Sequence, residues 1–301
     1  MDNEYALTLS DNACKNCYKC IRNCPVKAIY FNESGTQVSP SRCIACGNCF
    51  IVCPQKNKDI PSNLLRIESY IANNKKMIAS IDPTFISFFQ GNHKKLLTAL
   101  RLLGFHYIEE TAVAIDALQQ CYQKVLLNYN KKYMISSTCS TMNLFIQKYY
   151  PELNPYMMNA LPPLMAHGKL LKKKHGEASK VVFVGPCIAT KIECNDSTQE
   201  MPAIDGVLTF QELEDWINSK GIHLRDLEDG IFDDEGSKNA KAFPVKGFYI
   251  TEDSLPSGME MIKVCGLENI KEILPSMVKG ELDPSYVEIN YCSNGCINGP
   301  V

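Results

Sequence analysis

Cysteine is the residue type whose number and spacing give this chain of 301 residues its clearest chemistry. Eight of the 15 cysteines fall before residue 54, in two groups that both read C-x2-C-x2-C-x3-C-P. The start of the chain shows no apolar stretch behind basic residues, so no signal peptide is visible and we expect a cytoplasmic location. Thiols in a reducing compartment are more often metal ligands than disulfide partners. We therefore interpret both groups as metal-binding.

The repeated spacing is the pattern of the bacterial two-cluster ferredoxins. In that pattern three thiolates of one loop hold one cubane, and the fourth, before Pro, closes the neighbouring cubane. Paired zinc ribbons are the alternative, but they are built from separate C-x2-C pairs. The sequence therefore predicts two [4Fe-4S] clusters in a ferredoxin-like domain over residues 1–60. The expected ligands are Cys14, Cys17, Cys20 and Cys53 for the first cluster, and Cys43, Cys46, Cys49 and Cys24 for the second.

The elements that position these cysteines are predicted from hydrophobic patterns. An alternating segment around Gly35 indicates a hairpin between the two cysteine groups, and residues 61–76 are predicted to form a linker helix. From residue 77 to residue 301, strands alternate with amphipathic helices, which predicts an α/β domain with mostly parallel sheets flanked by helices. The predicted fold class is thus α+β with two domains. The net charge of −2 and the pI near 6.2 give no indication of nucleic-acid binding, and no apolar run is long enough to span a membrane.

Three further cysteines, Cys139, Cys187 and Cys292, come within two residues of the end of a predicted strand, and Cys296 follows one loop later. Because α/β folds build sites at the carboxyl ends of their strands, we expect these four thiols to converge at one sheet edge. Four thiols are the number that a [4Fe-4S] cluster or a structural zinc ion needs.

The alternative is that each of these cysteines is a small buried hydrophobic residue. We predict that role for Cys121 and Cys265, which lack such a placement, and leave the role of Cys194 open.

Three segments around the strand-end cysteines resemble the cluster-binding motifs of the [FeFe]-hydrogenases, which read roughly TSCCP, MPCxxKxxE and CxxGCINGG. They are STCS (137–140), GPCIATKIE (185–193) and CSNGCINGP (292–300). The similarity covers residues 77–301, and a ferredoxin module commonly precedes this domain in the family. The resemblance implies that four cysteines hold the [4Fe-4S] part of the H-cluster, with Cys296 bridging to a two-iron subsite. These ligands would be Cys139, Cys187, Cys292 and Cys296.

The chain departs from the family motifs at positions that serve the two-iron subsite. Thr138 stands where the family has a proton-relaying Cys, and a Thr hydroxyl hardly ionises near neutral pH. Gly185 replaces a Met, and Thr190 replaces the Lys that pairs with a cyanide ligand, while Lys191 comes one position late. Glu193 matches the family's Glu. The candidate catalytic residues are therefore Thr138 and Glu193, with weak or no hydrogen turnover expected.

These departures resemble the divergent, sensory members of the family. We expect an iron-sulfur electron-transfer protein that acts as a redox or hydrogen-sensing input module. Its expected partners are a redox donor or acceptor protein and a downstream PAS, kinase or phosphatase domain, since the chain stops just past the last motif. One alternative is an active ferredoxin-type hydrogenase, and a second is a cluster carrier resembling the Nar1-type assembly proteins.

Overall fold

The structure is a computed structural model that describes residues 8–9, 14–33, 35–56, 58–194, 202–246, 250 and 255–301. The ferredoxin-like part holds two short helices and two small antiparallel sheets, in which residues 8–9 pair with residues 58–59 and residues 29–32 pair with residues 35–38. The predicted hairpin is confirmed, although Ser34 itself lies outside the described residues. The elements are β1 (Thr8–Leu9), α1 (Lys19–Asn23), β2 (Ile29–Asn32), β3 (Gly35–Val38), α2 (Asn48–Ile51) and β4 (Lys58–Asp59).

The two cysteine groups fold in the same way. Each position of the second group lies 29 residues after its equivalent in the first, as Cys43 does after Cys14. Backbone in the left-handed region recurs at the same three repeat positions, which pair Asn16 with Ala45, Tyr18 with Gly47 and Lys27 with Lys56. Such turns direct successive backbone N–H groups towards an anion. Most of these residues carry a side chain, which makes the conformation costly and typical of functional sites.

The predicted linker helix is α3 (Leu64–Ala72), and it packs against the α/β part. Its residue Ile67 is fully buried, and a Cβ added at Gly206 would stand 3.1 Å from the Ile67 side chain. A side chain at position 206 would therefore require Ile67 to shift by a few tenths of an ångström. The helix is therefore packed into the larger core.

The α/β part contains eight strands and ten helices within the described residues. The strands are β5 (Met77–Ile81), β6 (Tyr107–Glu110), β7 (Tyr133–Ile135), β8 (Lys180–Gly185), β9 (Gly206–Thr209), β10 (Glu260–Cys265), β11 (Ser285–Asn290) and β12 (Ser293–Cys296). The helices are α4 (Phe85–Phe88), α5 (His93–Leu102), α6 (Ala112–Leu127), α7 (Ser140–Tyr149), α8 (Pro163–His175), α9 (Ala189–Cys194), α10 (Phe210–Ser219), α11 (Lys238–Lys241), α12 (Phe243–Lys246) and α13 (Leu267–Val278).

The longer strands form two parallel sheets. One sheet has the order β6-β5-β8-β9 and the other has the order β10-β11-β7, with every pairing parallel. Helix α10 begins at a capping box in which Thr209 and Glu212 exchange hydrogen bonds. No helix in the described ranges is both long and apolar enough to cross a membrane.

One hydrophobic core joins the ferredoxin-like part to the second sheet. Ile44 and Ala45 from the ferredoxin-like part belong to the same buried cluster as Val287 and Ile289 of β11. The side chains of Lys148 and Tyr149 on α7 donate hydrogen bonds to backbone carbonyls of residues 26–43. This packing fixes the second cysteine group against the α/β part.

Candidate metal centres

The first predicted ligand set surrounds one small pocket near the surface. Cys14, Cys17, Cys20 and Cys53 all line it. Cys14 and Cys17 are exposed, whereas Cys20 is buried. The fourth thiol thus comes from the other cysteine group, which is the crossed arrangement expected from the spacing.

The second predicted set, Cys24, Cys43, Cys46 and Cys49, lies deeper, against the α/β part. Cys24 lies close enough to Cys43 and Cys46 for its charge to act on both thiols. Burial raises the pKa of Cys43, and it raises the pKa of Cys46 to about 11. Thiols that are partly desolvated in this way ionise readily when a positive group stabilises them, as a bound metal does.

Backbone N–H groups point at the sulfurs of both sets in a repeated pattern. The backbone N–H of Lys19 lowers the pKa of Cys17, and the equivalent N–H of Asn48 acts in the same direction on the pKa of Cys46. The N–H of Ala45 lies 3.4 Å from the sulfur of Cys43. Hydrogen bonds of this type stabilise thiolates and help to set cluster reduction potentials.

The third set gathers at the junction of the two sheets. Cys139 follows β7, Cys187 follows β8, Cys292 follows β11 and Cys296 ends β12. The expectation of a single sheet edge is wrong, because β8 belongs to one sheet whereas β7 and β11 belong to the other. The cysteines nevertheless come together, since the charges of Cys139, Cys187 and Cys292 all act on Cys296.

The four cysteines of this third set are half-buried, and their thiols repel one another when ionised. Burial, followed by the charge of Cys139, raises the pKa of Cys187 to about 12. Burial and neighbouring thiols also raise the pKa values of Cys292 and Cys296. Four such groups can be anionic together only around a cationic core, so this donor set fits a bound metal cluster.

The residues in the described ranges fit clusters better than single metal ions. No three His, Cys, Asp or Glu side chains there are placed to hold one metal ion. Zinc draws four sulfurs to within about 4 Å of one another, given Zn–S bonds of about 2.3 Å. A cubane binds each thiolate through a different iron and therefore needs more widely spaced sulfurs.

Helix starts support two ligands of the third set. The N–H groups of Thr141 and Met142, in the first turn of α7, act to lower the pKa of Cys139. The N–H groups of Ala189 and Thr190, at the start of α9, act to lower the pKa of Cys187. Unpaired N–H groups at a helix N-terminus favour a negative charge.

Glu193, a candidate from the sequence, lies next to the third set. It accepts a hydrogen bond of 2.6 Å from the hydroxyl of Ser140, the residue after Cys139. Burial raises the pKa of Glu193 to about 7. Thr138, the other candidate, is half-buried beside Cys139. Both residues thus flank this ligand set.

Lys191 is bound to groups outside the ligand set. Its ammonium donates to the carbonyls of Pro61 and Val207, both at 3.0 Å, and pairs with Glu212 at 2.9 Å. Three partners use all three ammonium protons. The Thr190 hydroxyl donates to the carbonyl of Cys187 at 2.6 Å. The displacement by one position therefore leaves the ligand set without the family's lysine.

Two further residues near the third ligand set, Gly185 and Asp82, bear on whether the family's two-iron subsite fits. A Cβ at Gly185 would stand 2.7 Å from the Phe183 ring and 3.3 Å from Cβ of Asp82, so the family's Met does not fit there. Burial raises the pKa of Cys296, and the charge of Asp82 adds to this effect. Sequence reasoning missed Asp82, although a charged residue at the end of a buried strand was a usable signal.

The remaining cysteines lie outside the three sets. Cys121 was predicted to be a core residue, but it is exposed. Helix α6 buries Tyr122 and Leu126, which turns the neighbouring position 121 towards solvent. Cys265 is half-buried at the end of β10, and Cys194 lies 3.9 Å from the sulfur of Met165.

Comparisons with known proteins agree with the two-part organisation. The family described as the C-terminal domain of the iron-only hydrogenase large subunit matches residues 75–255 and 250–300. The 4Fe-4S dicluster domain matches residues 13–57. The fold also resembles that of a variant of the [FeFe]-hydrogenase HydA1 from Chlamydomonas reinhardtii, with a TM-score of 0.61 and 19% identity over 79% of this chain and 84% of that one.

Curated relatives fall into two groups. The periplasmic [Fe] hydrogenase large subunit of Nitratidesulfovibrio vulgaris is 28% identical over 207 residues, which are 59% of this chain and 49% of that protein. The nuclear prelamin A recognition factor of Xenopus laevis is 22% identical, over 91% of this chain and 76% of that protein. The cytosolic Fe-S cluster assembly factor narfl of Danio rerio is 20% identical, over 87% of this chain and 80% of that protein. The chain thus spans about half of the hydrogenase relative and most of the other two.

Proposed function

Because the chain belongs to the iron-only hydrogenase large-subunit family, we propose that it is an iron-sulfur electron-transfer protein whose hydrogenase-like domain holds a cubane but turns over no hydrogen. The proposed protein holds three [4Fe-4S] clusters on the three ligand sets described above. When bound, such clusters accept and release single electrons.

One observation carries this proposal: the Lys191 ammonium already bonds the carbonyls of Pro61 and Val207 and pairs with Glu212, so it has no proton left for another partner. A two-iron subsite with cyanide ligands needs a cation beside it. In this chain the nearest equivalent, Lys191, forms an ion pair with Glu212 instead. Asp82 places an acidic side chain, not a cation, near Cys296, where such a subsite would attach. The residues therefore do not fit a two-iron extension, while all four thiols for a cubane are in place.

We assign the protein a redox-sensing role in which it exchanges electrons with an acidic partner at the first ligand set. Lys15, Lys19 and Arg22 are exposed around the exposed thiol of Cys17, and the Tyr18 ring between them is 41% exposed. Residues 14–56 carry six Lys or Arg and one Glu, whereas the whole chain has a net charge of −2. Charge complementarity favours an acidic one-electron carrier at this surface.

A cluster carrier that acts in the cytoplasm is the second candidate, and the comparisons favour it. Relatives described as a cytosolic Fe-S cluster assembly factor and as Protein NAR1 match 87% of the chain. A carrier gives its cluster away, whereas a redox module keeps it. Incubation with an apo-ferredoxin acceptor separates them: loss of iron to the acceptor supports the carrier, and retention supports the redox module.

The test of the proposed function is the iron content of single-cysteine variants, measured with electron paramagnetic resonance (EPR) under anaerobic conditions. The wild-type protein should hold about twelve irons per chain. Cys292→Ser should lose the third cluster or leave a three-iron form, so that about eight to eleven irons remain. The control Cys121→Ser should keep all twelve. A Cys292→Ser protein with twelve irons and unchanged spectra would overturn the assignment.

A further inference from the structure

An exposed pair of aromatic rings stands beside the first ligand set. The Tyr18 and Phe31 rings meet edge to face, with their centroids 5.4 Å apart and their planes at 84°. Tyr18 is 41% exposed and Phe31 is 47% exposed. Tyr18 also lines the pocket of the first set, together with the four thiols of that set. Two large apolar side chains are therefore held in solvent next to the exposed thiols of Cys14 and Cys17.

The hairpin of β2 and β3 directs Phe31 to the side of the first ligand set. Phe31 pairs directly with Thr36 across the hairpin, so the two side chains share one face. Thr36 lines the pocket of the first set, and its hydroxyl lies 3.9 Å from the sulfur of Cys14. The neighbouring Tyr30 is 49% exposed and pairs with Gln37, so its ring belongs to the opposite face. Of these two adjacent rings, Phe31 is the one that faces the ligand set.

Tyr18 occupies a backbone position that is unfavourable for a side chain. It lies in the left-handed region with a φ of 56°, immediately before α1. The equivalent residue of the second repeat is Gly47, with a φ of 75°, immediately before α2. Glycine adopts this conformation freely, whereas a side chain makes it costly. A ring that is kept at position 18 despite this cost indicates a functional role rather than a requirement of the loop.

Positive charges surround the ring pair. Lys15 and Lys19 flank Tyr18 in the sequence, and Arg22 follows one helical turn later, where its backbone N–H donates to the carbonyl of Tyr18 at 3.1 Å. All three cationic residues are exposed. Aromatic residues and Arg are enriched in protein–protein interfaces, and the rim of an interface is polar. The surface therefore has an aromatic centre and a basic rim.

We propose that Tyr18 and Phe31 form the apolar centre of the docking surface for the acidic electron carrier, which deepens the proposed function and rests on it. The partner that fits presents carboxylates around an apolar patch, so that the carboxylates meet the basic rim while the patch covers both rings. The charges speed the encounter, whereas burial of the rings slows dissociation. Tyr18 and Phe31 thus select an acidic carrier that also carries an apolar contact.

The experiment is stopped-flow electron exchange between the holoprotein carrying Tyr18→Gly and a reduced acidic [2Fe-2S] ferredoxin of varied concentration. Glycine restores the residue type of the second repeat and removes the ring. The half-saturating ferredoxin concentration should rise about tenfold, while the limiting rate stays within about twofold. The rise should persist at about 0.5 M salt, because salt screens charges but not apolar burial. Iron content and the EPR-monitored reduction potentials should match the wild-type protein.

A second variant keeps the test decisive if Tyr18→Gly fails to assemble its cluster. Phe31→Ala removes the other ring without touching the left-handed backbone, and it should raise the half-saturating concentration in the same way. The control is Tyr30→Ala on the opposite face of the same strand, which should leave that concentration unchanged. Equal effects of Phe31→Ala and Tyr30→Ala, or a shifted potential with unchanged half-saturation in Tyr18→Gly, would overturn the inference. A wild-type protein with three clusters that exchanges no electrons with the ferredoxin would instead overturn the proposed function, so the two failures are distinguishable.

Discussion

Replacing Lys191 by Met should destabilise the α/β part while leaving all three ligand sets intact. The Lys191 ammonium is buried and bonds Pro61, Val207 and Glu212, which belong to the linker, β9 and α10. Met keeps the length and apolar character of the stem but removes the charge. Two carbonyls then lose their donor, and the Glu212 carboxylate loses its counter-ion.

The expected loss follows from these contacts. Breaking a buried ion pair from one side costs about 3–5 kcal/mol. The Glu212 side chain is 16% exposed and still accepts the N–H of Thr209 at 2.8 Å, so we expect the lower end, about 3 kcal/mol. For a domain of this size that corresponds to a fall in Tm of about 6–12 °C.

Anaerobic thermal unfolding followed by circular dichroism measures this change. The double variant Lys191→Met/Glu212→Met should recover much of the stability, because neither charge then remains buried alone. The control Lys279→Met removes one partner of an exposed pair with Glu281 and should cost less than about 0.5 kcal/mol. A Lys191→Met protein with wild-type Tm and an altered EPR spectrum would refute the structural role and place Lys191 at the ligand set.

Three further predictions follow. Neither carboxylate oxygen of Glu288 has a hydrogen-bond partner among the described residues, and burial raises the pKa of Glu288 to about 8. The folded state therefore favours the protonated carboxyl, so the free energy of unfolding of the wild-type protein should fall as the pH rises from about 4.5 to 8. Glu288→Gln should remove this pH dependence and be up to about 4 kcal/mol more stable than the wild-type protein at pH 8. Urea unfolding of both proteins at about pH 4.5 and at about pH 8 measures the difference. Thr138→Cys should stay below about 1 s⁻¹ in hydrogen evolution, because we propose that the third ligand set carries no two-iron subsite to receive the proton. Raising salt from 0.05 to 0.5 M should slow electron exchange with an acidic carrier at least about tenfold in stopped-flow mixing, as should Lys15→Glu/Lys19→Glu at low salt.

Each of these has a contradicting outcome. A Glu288→Gln protein with the same pH slope as wild type would mean that Glu288 is ionised in the fold. Hydrogen evolution restored by Thr138→Cys would show that the two-iron subsite exists. Exchange rates independent of salt, or equally slow in the control Lys279→Glu, would remove the basic surface as the docking site.

Spacing rules predicted the ligand sets because they depend on short segments. In C-x2-C-x2-C the loop geometry follows from the sequence itself, and the 29-residue repeat shows that it forms twice. Cys139, Cys187 and Cys292 were predicted as ligands from the rule that strands deliver residues to the carboxyl ends of a sheet. The rule did not reveal that two sheets supply them, since strand pairing is a long-range choice.

Long-range contacts also explain what the sequence could not predict. Strand alternation places Tyr291 on the same face as Val287 and Ile289, but its hydrogen-bond partner Asn48 is 243 residues away. Strand β10 was not predicted, because it is a partly exposed edge strand whose burial does not alternate cleanly. The sequence shows that Lys191 lies one position later than the family's Lys, but it does not show which groups the ammonium bonds, because Pro61, Val207 and Glu212 lie on separate elements. Local sequence patterns carry no information on contacts between residues that lie far apart in the chain.

The most direct test of the account is an iron determination combined with infrared spectroscopy on protein produced together with the hydrogenase maturation proteins. We expect about twelve irons per chain and no carbonyl or cyanide bands, since we propose that the third ligand set holds a cubane alone. About fourteen irons with such bands would contradict it, and would show that Asp82 and Lys191 do not prevent a two-iron subsite at Cys296.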